Sequence, residues 1–74
     1  MEEEVRAELQ AEYEHLMNRL VKVGNMIAGY DNVFKCPTEV LVRMHNAMRE
    51  YAKTLELCAK YEEIVLSFSM KKGE

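Results

Sequence analysis

From Leu9 onward, apolar residues recur in alternating steps of four and three: Leu9, Tyr13, Leu16, Leu20, Val23, Ile27 and Tyr30. This is the period of helices packed along a seam, and it continues for several turns without interruption. A second stripe, Met17, Val21, Gly24 and Ala28, runs beside it. A helix with one seam needs one neighbour; a helix with two adjacent stripes touches two.

The second half repeats the pattern. Leu41, Met44, Met48, Tyr51, Leu55 and Cys58 form a seam that continues through Val65 and Phe68. Ala47 flanks it on one side, and Ala52, Ala59 and Leu66 on the other. Arg43, Glu50, Lys53 and Lys60 lie opposite, and Glu62 interrupts the seam near the C-terminus, where fraying or a change of partner is expected.

Only the stretch from Ala28 to Val40 clearly departs from helical patterning. Gly29 can end the first helix, since it accepts the left-handed conformation without a Cβ penalty. Asp31 and Asn32 suit a turn because their side chains bond nearby backbone groups. Cys36-Pro37-Thr38-Glu39 reads as a helix start, with proline at the first helical position and a glutamate near the positive end of the dipole. Val33 and Phe34 are expected to fold back as an apolar plug. The result is one all-α domain, a hairpin of two long antiparallel helices, with helix one at about 2–29, the turn at about 30–36 and helix two at about 37–70.

Charge supports the antiparallel arrangement. Glu2, Glu3, Glu4, Glu8, Glu12 and Glu14 crowd the start of helix one, and Lys71 and Lys72 close helix two. Those ends meet in a hairpin, and each complements its own helix dipole. With the turn centred at residues 33–34, facing residues sum to about 67, which sets Leu16 near Tyr51, Leu20 near Met48 or Ala47, Val23 near Met44 and Ile27 near Leu41.

Two helices side by side enclose no core, and a chain of 74 residues has a marginal one in any case. The second stripe therefore predicts a homo-oligomeric helical bundle, a homodimer or higher, with Met17, Val21, Gly24, Ala28, Ala52 and Ala59 at the interface. Gly24 fits close approach of a neighbouring backbone, because an interior helix glycine otherwise costs about 1 kcal/mol relative to alanine.

Composition narrows the function classes. Ten Lys+Arg against thirteen Asp+Glu give a net charge of −3, which argues against non-specific nucleic-acid binding. No apolar run approaches the length of a membrane span, and the acidic Met-Glu-Glu-Glu start is unlike a signal peptide. A cytoplasmic protein with free thiols is expected, since Cys36 and Cys58 have no close metal-type spacing.

No constellation supports catalysis. Glu12-Tyr13-Glu14-His15 contains Glu-x-x-His, but carboxylate-bridged di-metal bundles need two such pairs, and Val42 stands three residues before His45. His15, which lies off the Leu16–Leu20 seam, reads as solvated. There is no nucleophile elbow and no phosphate-cradling glycine loop. The methionines read as adaptable core filler, and Cys58 as a small packed residue. A non-enzyme without cofactor or metal is expected.

One surface feature suggests a ligand. Arg19, Lys22, Arg43, His45, Arg49 and Lys53 fall in one band across the middle of the hairpin, suited to an anionic ligand or the acidic surface of a partner. A solvated helix face is the plainer account of the same residues.

The block from Leu16 to Leu55 resembles a widespread class of small phage and prophage proteins: Leu16, Leu20, Lys22, Val23 and Ile27, then Phe34, then Pro37 and Glu39, then Met48-Arg49-Glu50-Tyr51 and Leu55. The resemblance implies an accessory protein of a phage or mobile element, acting in the host cytoplasm and directed against host defence. It brings no catalytic residues. Two functions remain open. The first is an oligomeric interaction protein that binds a host or phage protein. The second is an oligomeric sponge that sequesters an anionic signalling nucleotide between subunits.

The thiols provide a check on a continuous helix two. Cys36 and Cys58 stand about 33 Å apart at the helical rise, whereas a disulfide needs Cα atoms within roughly 7 Å. Intact mass of oxidised monomer should show no Cys36–Cys58 link; finding one would mean that helix two is broken.

Overall fold

Both helices are composed of residues that favour helix, chiefly Ala, Leu, Glu, Lys, Arg and Met, with no internal proline. In a computed structural model, which describes residues 2–30 and 34–68, α1 spans Glu2–Ile27 and α2 spans Thr38–Tyr61. They pack against each other as an antiparallel hairpin. The all-α hairpin read from the sequence is the observed fold. Its extents are 42 × 28 × 14 Å, so the slab is one helix thick and both broad faces are open to whatever surrounds them.

The helix ends follow one rule. At the end of α1, Tyr30 N–H donates to Asn25 O at 2.8 Å and Gly29 N–H to Met26 O at 3.1 Å. Gly29 takes φ 100. This is the Schellman arrangement, and Gly29 terminates α1 as its sequence position predicts. The end of α2 repeats the geometry: Ile64 N–H donates to Ala59 O at 2.8 Å and Glu63 N–H to Lys60 O at 3.1 Å. Here a glutamate, Glu63, occupies the left-handed position, with φ 59. The apolar contact that accompanies such motifs is present too, since Ala59 and Ile64 are both buried.

This second motif shortens helix two. Periodicity carries it to about residue 70, but α2 stops at Tyr61, and residues 64–68 are non-helical. The interruption noticed at Glu62 is thus the helix C-cap. The segment after it turns back, so that Leu66 and Phe68 pack against the core while Val65 is exposed. Gln10 clamps this tail. Its Nε2 donates to Ser67 O at 2.7 Å, and Ser67 N–H donates to its Oε1 at 3.1 Å, a pairing like a rung of a strand ladder.

At the other end of α2, Pro37 is the N-cap (φ −62, ψ 154) rather than the first helical residue. Its carbonyl accepts from Val40 N–H at 3.0 Å, and Glu39 sits in the first turn as the dipole favours. Of the expected apolar plug, only Phe34 lies within the described residues. Phe34 is 43% exposed, and the half-buried Cys36 closes that end of the core instead. Val33, Asp31, Asn32, Lys71 and Lys72, also used in the sequence argument, lie outside the described residues.

The core has two clusters. Tyr13, Leu16, Leu20, Ala52 and Leu55 form one, and Val23, Met26 and Leu41 the other, with Met48 packed against both. Leu41 is fully buried, and truncating it to alanine would remove about 2–5 kcal/mol. The α1 seam matches expectation from Leu9 to Ile27, but Tyr30 is 68% exposed beyond the helix end.

The α2 seam is rotated. Ala52 and Ala59, assigned from the sequence to an oligomer interface, are buried within the single chain, whereas Tyr51 and Cys58 are exposed. The reason is steric and polar together. Small alanines let α2 approach the bulky row Tyr13, Leu16 and Leu20, while Tyr51 keeps its hydroxyl at the edge, donating to Glu12 Oε2 at 2.8 Å.

Glu63 provides a test of the capping account. A left-handed non-glycine residue costs about 1–2 kcal/mol, so Glu63→Gly should stabilise the fold by about 0.5–1 kcal/mol after glycine's entropy cost. Thermal melting followed by circular dichroism should show a rise of a few degrees.

Candidate ligand-binding and assembly faces

Each broad face of the slab carries one row from each helix. Specific contacts identify the rows. On one face Glu12 accepts from Tyr51. On the other, Tyr13 OH donates to Glu56 Oε2 at 2.6 Å, and His45 Nε2 lies 3.5 Å from where a Cβ on Gly24 would stand. The pairs Tyr13–Glu56 and Gly24–His45 sum to 69 and Glu12–Tyr51 to 63, on either side of the register of about 67 expected from the sequence.

Residues three, four or seven apart share a helix face. On α2, Arg49 is four residues from His45, four from Lys53 and seven from Glu56. Those cations therefore belong to the Gly24 face. On α1, Arg19 is seven residues from Glu12, and Lys22 three further on, so both belong to the Tyr51 face. Arg43 is three residues from Val40 and four from Ala47 but eight from Tyr51, which places it at the margin between the Tyr51 face and the outer side of α2. The single band expected from the sequence is thus divided. His45, Arg49 and Lys53 come together; Arg19 and Lys22 come together on the opposite face; Arg43 stands apart.

The Gly24 face also holds the second stripe. Met17 packs against the first core cluster, Val21 and Gly24 are half-buried, and Ala28 is exposed. Gln10, seven residues before Met17, holds the tail at the start of this stripe. Within one chain the neighbour of Gly24 is the His45 imidazole at ordinary contact distance, so no second backbone is needed to account for the glycine. What remains is the half-buried pair Val21 and Gly24, with the half-buried His45 against Gly24 and the exposed Arg49 and Lys53 beyond it.

Among the described residues, the tail docks away from the Tyr51 face. Near the N-terminal half of α1 that face holds an open groove of about 290 Å³, floored by Leu9 and Leu55 and rimmed by Glu8, Glu12 and Tyr51. Cys58 also lines it, in place of the packed role expected for that thiol. His15 is exposed. Among the described residues, no group of three or more His, Cys, Asp or Glu is placed to hold a metal ion, and no helix is long and apolar enough to cross a membrane.

A family model described as Sequestin matches residues 3–60. The chain belongs to the Sequestin family. The match takes in all but the first residue of α1, the turn and all but the last residue of α2, and stops before the clamped tail. No curated protein and no solved structure gives a significant match.

Two tyrosines tie the faces together and give the fold a pH signature. The pKa of Tyr13 is raised above 10.0, first by its hydrogen bond to Glu56, then by burial and by the Glu56 charge. That of Tyr51 is raised in the same way by Glu12. A tyrosine that holds its proton more tightly when folded contributes stability that is complete below the unfolded pKa and lost as pH rises through the folded one. Denaturant titrations at about pH 8 and about pH 11 should show an alkaline loss of stability, and Tyr13→Phe should be less stable at the lower pH and lose less on going to the higher.

Proposed function

We propose that this chain is a non-enzymatic sequestering protein that withdraws an anionic signalling nucleotide from solution. The supporting observation is the row His45, Arg49 and Lys53 alongside the half-buried pair Val21 and Gly24, in a chain whose family is named for sequestration. Such a surface offers an apolar seat for a base and cations for phosphate. Arg49 can bind phosphate bidentately, Lys53 as a point charge. In this reading bound ligand is held rather than converted. Self-association is part of this reading, because a flat two-helix slab of this size has a marginal core by itself. In a phage or mobile-element setting, removal of a host nucleotide signal would act against host defence.

A second reading has its own support. Leu57 and Tyr61, four residues apart on α2, are 53% and 82% exposed, and Val65 beyond them is exposed as well. An apolar strip of this kind suits a protein partner. In that case sequestration is of a host or phage protein, and the cations serve as its rim.

The readings separate experimentally. Purified protein is titrated with a panel of cyclic and linear adenine and guanine nucleotides by calorimetry, then heated to release what it holds. Sequestration predicts saturable binding and recovery of the nucleotide unchanged. Arg49→Glu should weaken capture by roughly tenfold or more, while stability moves by no more than about 0.5 kcal/mol. Arg43→Glu, off the row, should have a much smaller effect. Nucleotide recovered as a cleaved product would make the chain an enzyme. Absence of binding across the panel, with loss of partner capture in Leu57→Glu, would favour the protein-binding reading.

A further inference from the structure

The Tyr51 face has a pattern that neither ligand reading uses. On α1 its row is Glu8, Glu12, His15, Arg19 and Lys22, in steps of four, three, four and three, and all five side chains are exposed. The charges run acidic, acidic, histidine, basic, basic. Glu8 and Lys22 each lie seven residues from His15, and Glu12 and Arg19 lie three and four residues from it. The row is therefore complementary to its own reverse. Turned end for end about His15, Glu8 meets Lys22 and Glu12 meets Arg19. Laid parallel, each charge meets itself.

The α2 row on this face is mainly uncharged, with Arg43 at its outer margin. Val40, Ala47, Tyr51 and Cys58 are all exposed, with Val40 and Tyr51 among the large hydrophobics left uncovered. The described part of the tail docks on the opposite face. The groove on the Tyr51 face has an apolar floor and an acidic rim.

The geometry points to a second copy of this chain docked on the Tyr51 face, antiparallel, α1 on α1 and α2 on α2 about a two-fold axis level with His15. The partner's Arg19 and Lys22 extend over the groove, their aliphatic stems on Leu9 and Leu55 and their charges on Glu12 and Glu8. Symmetry makes each pair twice. The mainly uncharged α2 rows close on each other, and the two hairpins become a four-helix bundle. Assembly through this face leaves the His45–Arg49–Lys53 row open for a ligand. The inference rests on the self-association included in the proposed function, and not on the ligand.

Two charge-reversed chains test it. One carries Glu8→Lys and Glu12→Lys, the other Arg19→Glu and Lys22→Glu. Sedimentation and native mass spectrometry without ligand should show wild type as a dimer at micromolar concentration. Each reversed chain should remain helical by circular dichroism and dimerise roughly a hundredfold more weakly, because like charges now oppose. An equimolar mixture should restore a one-to-one dimer, and rising salt should weaken it. Val21→Glu, on the other face, should leave the dimer intact. If a double variant fails to fold, Glu8→Lys and Lys22→Glu form the mixing pair, since neither residue makes an intrachain hydrogen bond among those described. A monomeric wild type, reversed chains that dimerise as well as wild type, or folded reversed chains that stay apart on mixing would each overturn the proposal. So would dissociation by Val21→Glu alone. Nucleotide capture by a monomeric wild type would end this proposal and leave sequestration standing.

Discussion

The close approach of α1 and α2 through Tyr13, Leu16 and Leu20 on one side and Ala52 and Leu55 on the other is the contact on which everything else depends. Isolated helices of this length are marginal in water, and their stability comes mainly from packing an apolar face. Each fully buried leucine contributes about 1.5–3 kcal/mol of transfer free energy, offset by the entropy of ordering the chain. The alanines matter as much as the leucines here. By contributing little bulk, Ala52 and Ala59 bring the two backbones near enough for Tyr13 to reach Glu56 and for Tyr51 to reach Glu12.

The hairpin was legible because its determinants are local and periodic. The α1 seam, the Gly29 stop and the Glu39 helix start each depend on a few neighbouring residues. The rotation of α2 was less legible. Two stripes one position apart, Tyr51–Cys58 and Ala52–Ala59, satisfy the same period, and hydrophobicity favours the bulkier one. Choosing between them requires knowing the width of the gap that α1 leaves, which is a property of the pair. The polar edge contact of Tyr51 was a usable signal, since a tyrosine beside an acidic row can place its ring on the seam margin and its hydroxyl on a carboxylate.

The tail was hidden for a different reason. Nothing in the sequence marks Glu63 as a left-handed residue, because glutamate rarely takes that conformation, and Val65 and Phe68 continue the helical spacing well enough to mislead. The Gln10 clamp joins residues far apart in the chain and has no local signature. The candidate cations were all visible as a group, but their division between two faces follows from helix phase combined with contacts that only the fold supplies. The self-complementary row on α1 was present in the sequence throughout. Its members are charged, and an apolar period carries no information about them.

A slab 14 Å thick has almost no interior. Few side chains are enclosed, and most of the others meet solvent or a partner on one of the two broad sides. Selection for folding therefore acts on a short set of spaced positions, and the rest of the sequence is free to follow whatever the faces must recognise. Two such chains could share nearly all of their architecture while having little residue identity in common. Relatives of this fold would then be recognised by the spacing of the enclosed residues, and specificity could diverge on either face without disturbing the other.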